Sequence, residues 1–220
     1  MGRITAGRPC ASINVANSRL PSAVAPDDAA KTIDPASWAR LGFVAFLAWV
    51  GWIAFHDDLG YVPLLSDIDL AIHEAGHMLF MPFGIAFLGR TMVILGGSLF
   101  QVLVPAIFAG YFLRKRDDGR RRDPFAAMLC IWWMSIDLLS VSIYCADARA
   151  GQLMLINGMT GQESDAHDWN NLLTTWHLLQ RDTFIAGRMR ALAILLCVGA
   201  LIAAAWIALS PRPALVEVDD

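Results

Sequence analysis

Charged residues are scarce in this chain. Asp, Glu, Lys and Arg make up 17% of its 220 residues, while hydrophobic residues reach 56% and the mean hydropathy is +0.49. A typical soluble domain carries about 25% charged residues. The apolar residues are grouped in long runs separated by short charged clusters, which is the pattern of a membrane protein. The composition therefore favours an integral membrane protein over a soluble domain.

Three other features are missing. The net charge of -3 and pI near 5.9 give no basic excess, so nucleic acid is not an expected partner. None of the four cysteines stands in a CxxC pair, which argues against a disulfide framework and a thiolate metal site. Residues 1–36 contain no apolar core of the kind found in secretory signal peptides, and we expect them to form a flexible tail.

The apolar runs predict an all-α, polytopic membrane helix bundle. We expect five spans, or six if residues 169–187 also cross. Pro82 and Gly84 interrupt the second span, after the motif discussed below, and predict a kink or a re-entrant segment there. The five spans lie at about 38–55, 64–88, 91–113, 124–146 and 184–209.

This pattern predicts one transmembrane domain over residues 37–210 and a short acidic tail over residues 211–220. The loop after the third span holds six basic residues, and short basic loops stay in the cytoplasm. With five spans, the N-terminus and residues 147–182 would then lie on the other side. Arg188 and Arg190 argue against this orientation, because they would fall on that external side.

The feature with the clearest chemistry is His73-Glu74-Ala75-Gly76-His77, an HExxH motif. On a helix, positions i and i+4 share a face, so both imidazoles can bind one zinc ion. The glutamate beside the first ligand can take a proton from a water molecule at the metal. Ionisable groups inside an apolar run are costly and mark a functional site.

A catalytic zinc needs a third protein ligand. His167 is the first candidate, because it is the best placed of the three remaining histidines. Asp147 and Asp137 follow, since both lie on a polar stripe of the fourth span. The candidates after these are Asp165, Asp168 and His177. Asp168 also has another interpretation, as the N-cap of the helical pattern that follows it.

These residues resemble the site-2-protease group of intramembrane zinc metalloproteases. The resemblance covers residues 64–150 and rests on the HExxH motif, the glycine-bearing break after it and a carboxylate on the fourth span. It implies that His73 and His77 bind zinc, that Glu74 is the base and that a later carboxylate is the third ligand. The group's Asn-Pro-Asp-Gly-type signature is absent, as is a PDZ-like module, so the chain is similar to a divergent bacterial offshoot.

The expected function is therefore that of a zinc metalloendopeptidase of a bacterial inner membrane, with the lipid bilayer around it and a membrane protein or peptide as substrate. The alternative is a non-catalytic zinc-binding or scaffolding protein, whose metal would be closed by four protein ligands. Five histidines are too few for a di-iron hydroxylase. A transporter would be expected to show paired interrupted helices, which we do not find.

Overall fold

The computed structural model describes residues 35–84, 89–114, 122–155 and 158–210. In this part of the chain the regular structure is helical, apart from one isolated antiparallel bridge between Met154 and Thr160. The predicted all-α class is confirmed for these residues. The helices are α1 (Pro35–His56), α2 (Leu65–Phe83), α3 (Gly89–Leu113), α4 (Pro124–Ala146), α5 (Asp168–Thr175) and α6 (Asp182–Leu209), with a 3-10 turn at Leu179–Arg181.

Four helices are long and apolar enough to cross a membrane, namely α1, α3, α4 and α6 with the 3-10 turn before it. This supports an integral membrane protein, but the predicted fifth and sixth spans are not confirmed. The 19 residues of α2 include Asp67, Asp69 and Glu74, which make it too acidic to count among them. α5 has eight residues and is only about 12 Å long.

The predicted tails fall almost entirely outside the described residues. The first lay over residues 1–36, but α1 already begins at Pro35, so the last two positions of that range are helical. The acidic tail over residues 211–220 and most of the basic loop are not among the described residues.

α4 forms the centre of the bundle, with eleven buried residues. α6 lies against it through a row of small side chains, which lets the two helix backbones approach closely. Leu139 and Ile136 of α4 are 0% and 1% exposed under this contact. The small buried residues of α6 are Ala186, Ala193, Cys197, Ala200, Ala204 and Ala208.

The first and fourth helices begin at the same end of the bundle. The Arg40 guanidinium lies 4.9 Å from the ring centroid of Phe125, and each residue stands near the start of its helix. The backbone N–H of Asp123, just before α4, donates to the carbonyl of Phe112 near the end of α3 at 3.0 Å. We call this the basic-loop end, and the other the α5 end.

α6 runs in the opposite direction to α1. Arg190, near the start of α6, donates through Nη2 to the carbonyl of Phe55 at the end of α1, with a distance of 2.6 Å. α1 therefore starts at the basic-loop end, whereas sequence reasoning with five crossings placed the N-terminus on the side opposite that loop.

α2 packs antiparallel to α3 at close range. A Cβ atom at Gly76 would lie 2.5 Å from the carbonyl oxygen of Gly96, so the two backbones touch at this point. α2 continues through Pro82 to Phe83, and the predicted interruption therefore falls at the end of the helix. Residues 85–88, where a re-entrant segment would turn, are outside the described residues.

The contact at Gly76 predicts that one added methyl group lowers the stability of the protein at this position and not at an open glycine. We expect Gly76→Ala to lower the free energy of unfolding by roughly 1–3 kcal/mol, because the new Cβ overlaps a backbone atom that cannot move aside. Gly110→Ala in α3 is the matched control, since no described atom lies within 4 Å of a Cβ there. Equal thermal stability of the two variants in detergent would contradict the close contact.

Candidate metal centre

α2 presents the two histidines of the HExxH motif on one face. The candidate ligand atoms of His73, Glu74 and His77 lie within 4.8 Å of one another. The Nε2 atom of each imidazole lies 3.1 Å from Oδ2 of Asp168, the first residue of α5. Two nitrogen atoms and one oxygen atom therefore face a common point between α2 and α5.

The other nitrogen of each imidazole is held by a hydrogen bond. His77 Nδ1 lies 2.9 Å from the carbonyl oxygen of Val93, which can only accept, so Nδ1 carries the hydrogen. His73 Nδ1 lies 3.2 Å from Oε1 of Gln101 and donates in the same way. In this tautomer each Nε2 keeps a lone pair, which is the form in which an imidazole binds a metal.

These atoms fit a zinc ion. Imidazole nitrogens and carboxylate oxygens bind zinc at about 2.0–2.2 Å, and lone pairs that face one another are stabilised by a cation between them. The space beside them is also open, because Gly97 of α3 has no side chain. A Cβ atom there would lie 2.5 Å from Nε2 of His77 and 2.6 Å from Nε2 of His73.

The Asp168 carboxyl group is available to such a cation. Burial raises its pKa, but without a metal His73 and His77 can carry a hydrogen on Nε2 and donate it to this carboxylate, and the pKa then lies below its ordinary value. The group is therefore a carboxylate at neutral pH.

Two contacts hold Asp168 against α2. Its backbone N–H donates to the hydroxyl of Tyr144 near the end of α4, at 3.0 Å. The next residue, Trp169, is 3% exposed and donates through Nε1 to Oγ of Ser98 on α3, at 3.1 Å. α5 is thus attached to both α3 and α4, and its first residue meets the two histidines.

The structure does not bring His167 to the two Nε2 atoms, although the sequence favoured it as third ligand. His167 is the N-cap of α5, and its Nδ1 accepts the N–H of Asn170 at 3.3 Å. Nε2 then carries the hydrogen and lies 3.4 Å from Oδ2 of Asp147 without forming a hydrogen bond. Burial lowers the pKa of His167 and keeps it neutral. Asp168, which the sequence offered as N-cap, is the first residue inside the helix.

Asp147, the second candidate, stabilises the turn after α4. Its two carboxylate oxygens accept the backbone N–H groups of Gln152 and Leu153, each at 2.9 Å. Both oxygens of Asp147 therefore accept hydrogen bonds from the backbone of the turn.

Asp137, the third candidate, is fully buried and faces Asp69 of α2. Asp69 is 3% exposed and accepts the indole N–H of Trp133 at 2.8 Å. Gln101 lies beside Asp137 and also bonds His73, but neither oxygen of Asp137 has a hydrogen-bond partner among the described residues. The side chain of Gln101 thus separates Asp137 from the candidate ligand His73.

Glu74 faces a cavity of about 550 Å³ that also reaches His73, His77 and Asp168. The cavity opens near the α5 end of the bundle, and most of its wall is apolar. A peptide segment with apolar side chains would be compatible with this lining. Its apolar residues include Leu59, Leu70, Val93, Ile94, Val141 and Leu153.

Sequence reasoning missed two features of the site. Asp69 continues the series of His73 and His77 at every fourth residue, and that spacing was a usable signal. The carbonyl of Val93 could not have been found, because any residue type supplies one.

No family model, no curated protein and no solved structure matches this chain. The site is therefore interpreted from its own geometry.

The open space at Gly97 predicts that one methyl group excludes the metal. We expect Gly97→Ala to lose most of its zinc, because the new Cβ occupies the space beside both Nε2 atoms. Gly199→Ala in α6 should keep the wild-type content, since no described atom lies within 4 Å of a Cβ there. The measurement is elemental analysis of the purified proteins. Full zinc content in Gly97→Ala would contradict this location of the ion.

Proposed function

We propose that this protein is a membrane-embedded zinc metalloendopeptidase, in which His73, His77 and Asp168 hold the metal and Glu74 is the general base. The observation that carries the proposal is the convergence of two imidazole Nε2 atoms on one carboxylate oxygen, 3.1 Å from each, beside Glu74 in an open cavity. Asp168 takes the role that the sequence gave first to His167.

Zinc is the metal that this donor set favours, since two imidazoles and one carboxylate are a frequent catalytic zinc site with one position left open. When bound, zinc would polarise the scissile carbonyl group and make a water molecule more acidic. Gln101 and the Val93 carbonyl would orient the two imidazoles. Such supporting hydrogen bonds fix the tautomer of the ligands.

Glu74 would move the proton. In hydrolysis of a peptide bond, the attacking water must lose a proton and the leaving amine must gain one. The Glu74 carboxylate lies within 4.8 Å of the ligand atoms of both histidines, close enough to serve both transfers. Its place in the cavity wall gives a substrate access to it.

The proposed substrate is a membrane protein or peptide, bound near the membrane surface at the α5 end. Tyr144, which holds Asp168, is two residues from the end of α4, and α5 itself is too short to span. Backbone in the lipid core keeps its internal hydrogen bonds, so cleavage needs an unwound segment. A position close to the surface lowers the cost of that unwinding.

We also propose that the chain crosses the membrane four times. The segment that contains α2 would enter the bilayer from the α5 end and return to the same end. α1 and α2 both run toward that end, and only eight residues, 57–64, connect them. Eight residues span at most about 29 Å, less than the roughly 33 Å length of α1. The basic loop would put the start of α1 and the end of α6 in the cytoplasm. A bacterial inner membrane is the expected setting for this topology.

A non-catalytic zinc protein is the second candidate. It would need a fourth protein ligand besides His73, His77 and Asp168, and Glu74 is the candidate because its carboxylate lies within 4.8 Å of both histidines. The position of Glu74 in an accessible cavity favours the catalytic proposal, because a base must reach water and substrate.

Glu74→Gln separates the two candidates. We expect this variant to keep its zinc and to lose about 100-fold or more of the cleavage rate, because the amide cannot accept the proton. The measurement combines elemental analysis with mass spectrometry of transmembrane peptides incubated with the protein in lipid vesicles. Glu163→Gln is the control, since Glu163 bonds Thr160 outside the cavity.

Two results would contradict the proposal. Loss of zinc in Glu74→Gln would make Glu74 a ligand and favour a closed, structural site. Cleavage by Glu74→Gln at the wild-type rate would exclude Glu74 as the base.

A further inference from the structure

A second cavity lies between α1 and α6, and its lining shares no residue with the cavity at the candidate metal centre. It has a volume of about 420 Å³ and is mostly apolar. On α6 its wall follows one helix face, from Arg190 through Ile194 and Val198 to Leu201. On α1 it follows another, from Ala48 to His56. We call this cavity the α1–α6 groove.

Small residues create the groove. Gly51 of α1 is buried against Trp132 and Cys197, where an added Cβ would lie 3.3 Å and 3.4 Å from their side-chain atoms. Ala48, one turn earlier, is exposed and faces the same space. α1 is thus closely packed at Gly51, while the small side chain of Ala48 leaves the neighbouring part of the groove open.

Arg190 marks the polar end of the groove. The 19 residues from 191 to 209 carry no charge and would span about 28 Å as a helix, close to the roughly 30 Å of a hydrocarbon core. Arg190 therefore stands at the boundary between that core and the head groups. Leu201 is eleven residues further on, about 16 Å deeper, so the groove is as long as one leaflet is thick.

The Arg190 guanidinium has further N–H groups that can donate hydrogen bonds to a ligand. One N–H donates to the Phe55 carbonyl at 2.6 Å. Among the described residues no carboxylate lies within 4 Å of it. The nearby Asp57 instead accepts the backbone N–H groups of Leu59 and Tyr61. A cation at a head-group boundary, above an apolar groove of one leaflet's depth, is complementary to a phospholipid.

We propose that the α1–α6 groove binds one phospholipid, with its phosphate on Arg190 and one acyl chain along the groove toward Leu201. Arg190 then serves as a lipid ligand, which accounts for a basic residue on the side opposite the basic loop. The site is separate from the metal centre, and the proposal does not depend on proteolysis.

The test is native mass spectrometry of the full chain released from detergent, after addition of phosphatidylglycerol or of a diacylglycerol with the same chains. We expect a retained phosphatidylglycerol adduct and little diacylglycerol. Arg190→Gln should weaken the adduct about tenfold or more, since a charge-assisted contact to the phosphate is lost. Arg190→Lys should retain most of the binding.

Two further variants control for correct folding and test the part of the groove that would hold the acyl chain. Arg188→Gln removes a neighbouring cation that lies over the Phe184 ring, 4.9 Å from its centroid, and should bind as wild type does. Ala48→Phe fills the groove and should block binding while the thermal unfolding temperature stays unchanged. Equal binding of both lipids, or wild-type binding by Arg190→Gln and Ala48→Phe, would overturn the proposal. A protein dimer that Ala48→Phe dissociates, with no lipid adduct, would do so as well.

Discussion

Two imidazole nitrogens and one carboxylate oxygen face one another between α2 and α5, and in the proposed site a zinc ion binds among them. Much of the surrounding structure serves to maintain it. Gln101 and the Val93 carbonyl turn the imidazoles, and Tyr144 holds the backbone of Asp168. The glycines where α2 meets α3 bring the two backbones into contact. The site thus depends on α5, a helix of eight residues outside the candidate spans.

The membrane imposes the second constraint. α2 carries three acidic residues, and charged groups in a hydrocarbon core are costly unless they are paired or bound to a metal. Asp69 is buried against Asp137 and the indole of Trp133, whereas Asp67 is exposed and accepts the hydroxyl hydrogen of Tyr61. The four apolar helices α1, α3, α4 and α6 form the rest of the bundle.

The sequence predicted the helical class and the HExxH face of α2 because both are periodic patterns within single helices. It placed Asp168 behind His167, Asp147 and Asp137 as a candidate third ligand, whereas we propose Asp168 for that role. His167 and Asp168 are adjacent, and their different roles follow from the rotation of α5, which is set by the contact of Trp169 with Ser98, 71 residues away. The predicted fifth and sixth spans are not confirmed. Residues 64–88 predict one apolar span, but the helix within them, Leu65–Phe83, carries three acidic residues and is not among the helices apolar enough to cross.

The central claim is that Asp168 completes the metal centre. X-ray absorption at the zinc edge of the purified protein tests it most directly, with Asp168→Ala and His167→Ala beside the wild type. The account predicts two imidazoles and oxygen ligands in the wild type, the same spectrum in His167→Ala, and loss of zinc or of the carboxylate contribution in Asp168→Ala. Three imidazoles in the wild type, with one lost in His167→Ala and an unchanged spectrum in Asp168→Ala, would contradict it.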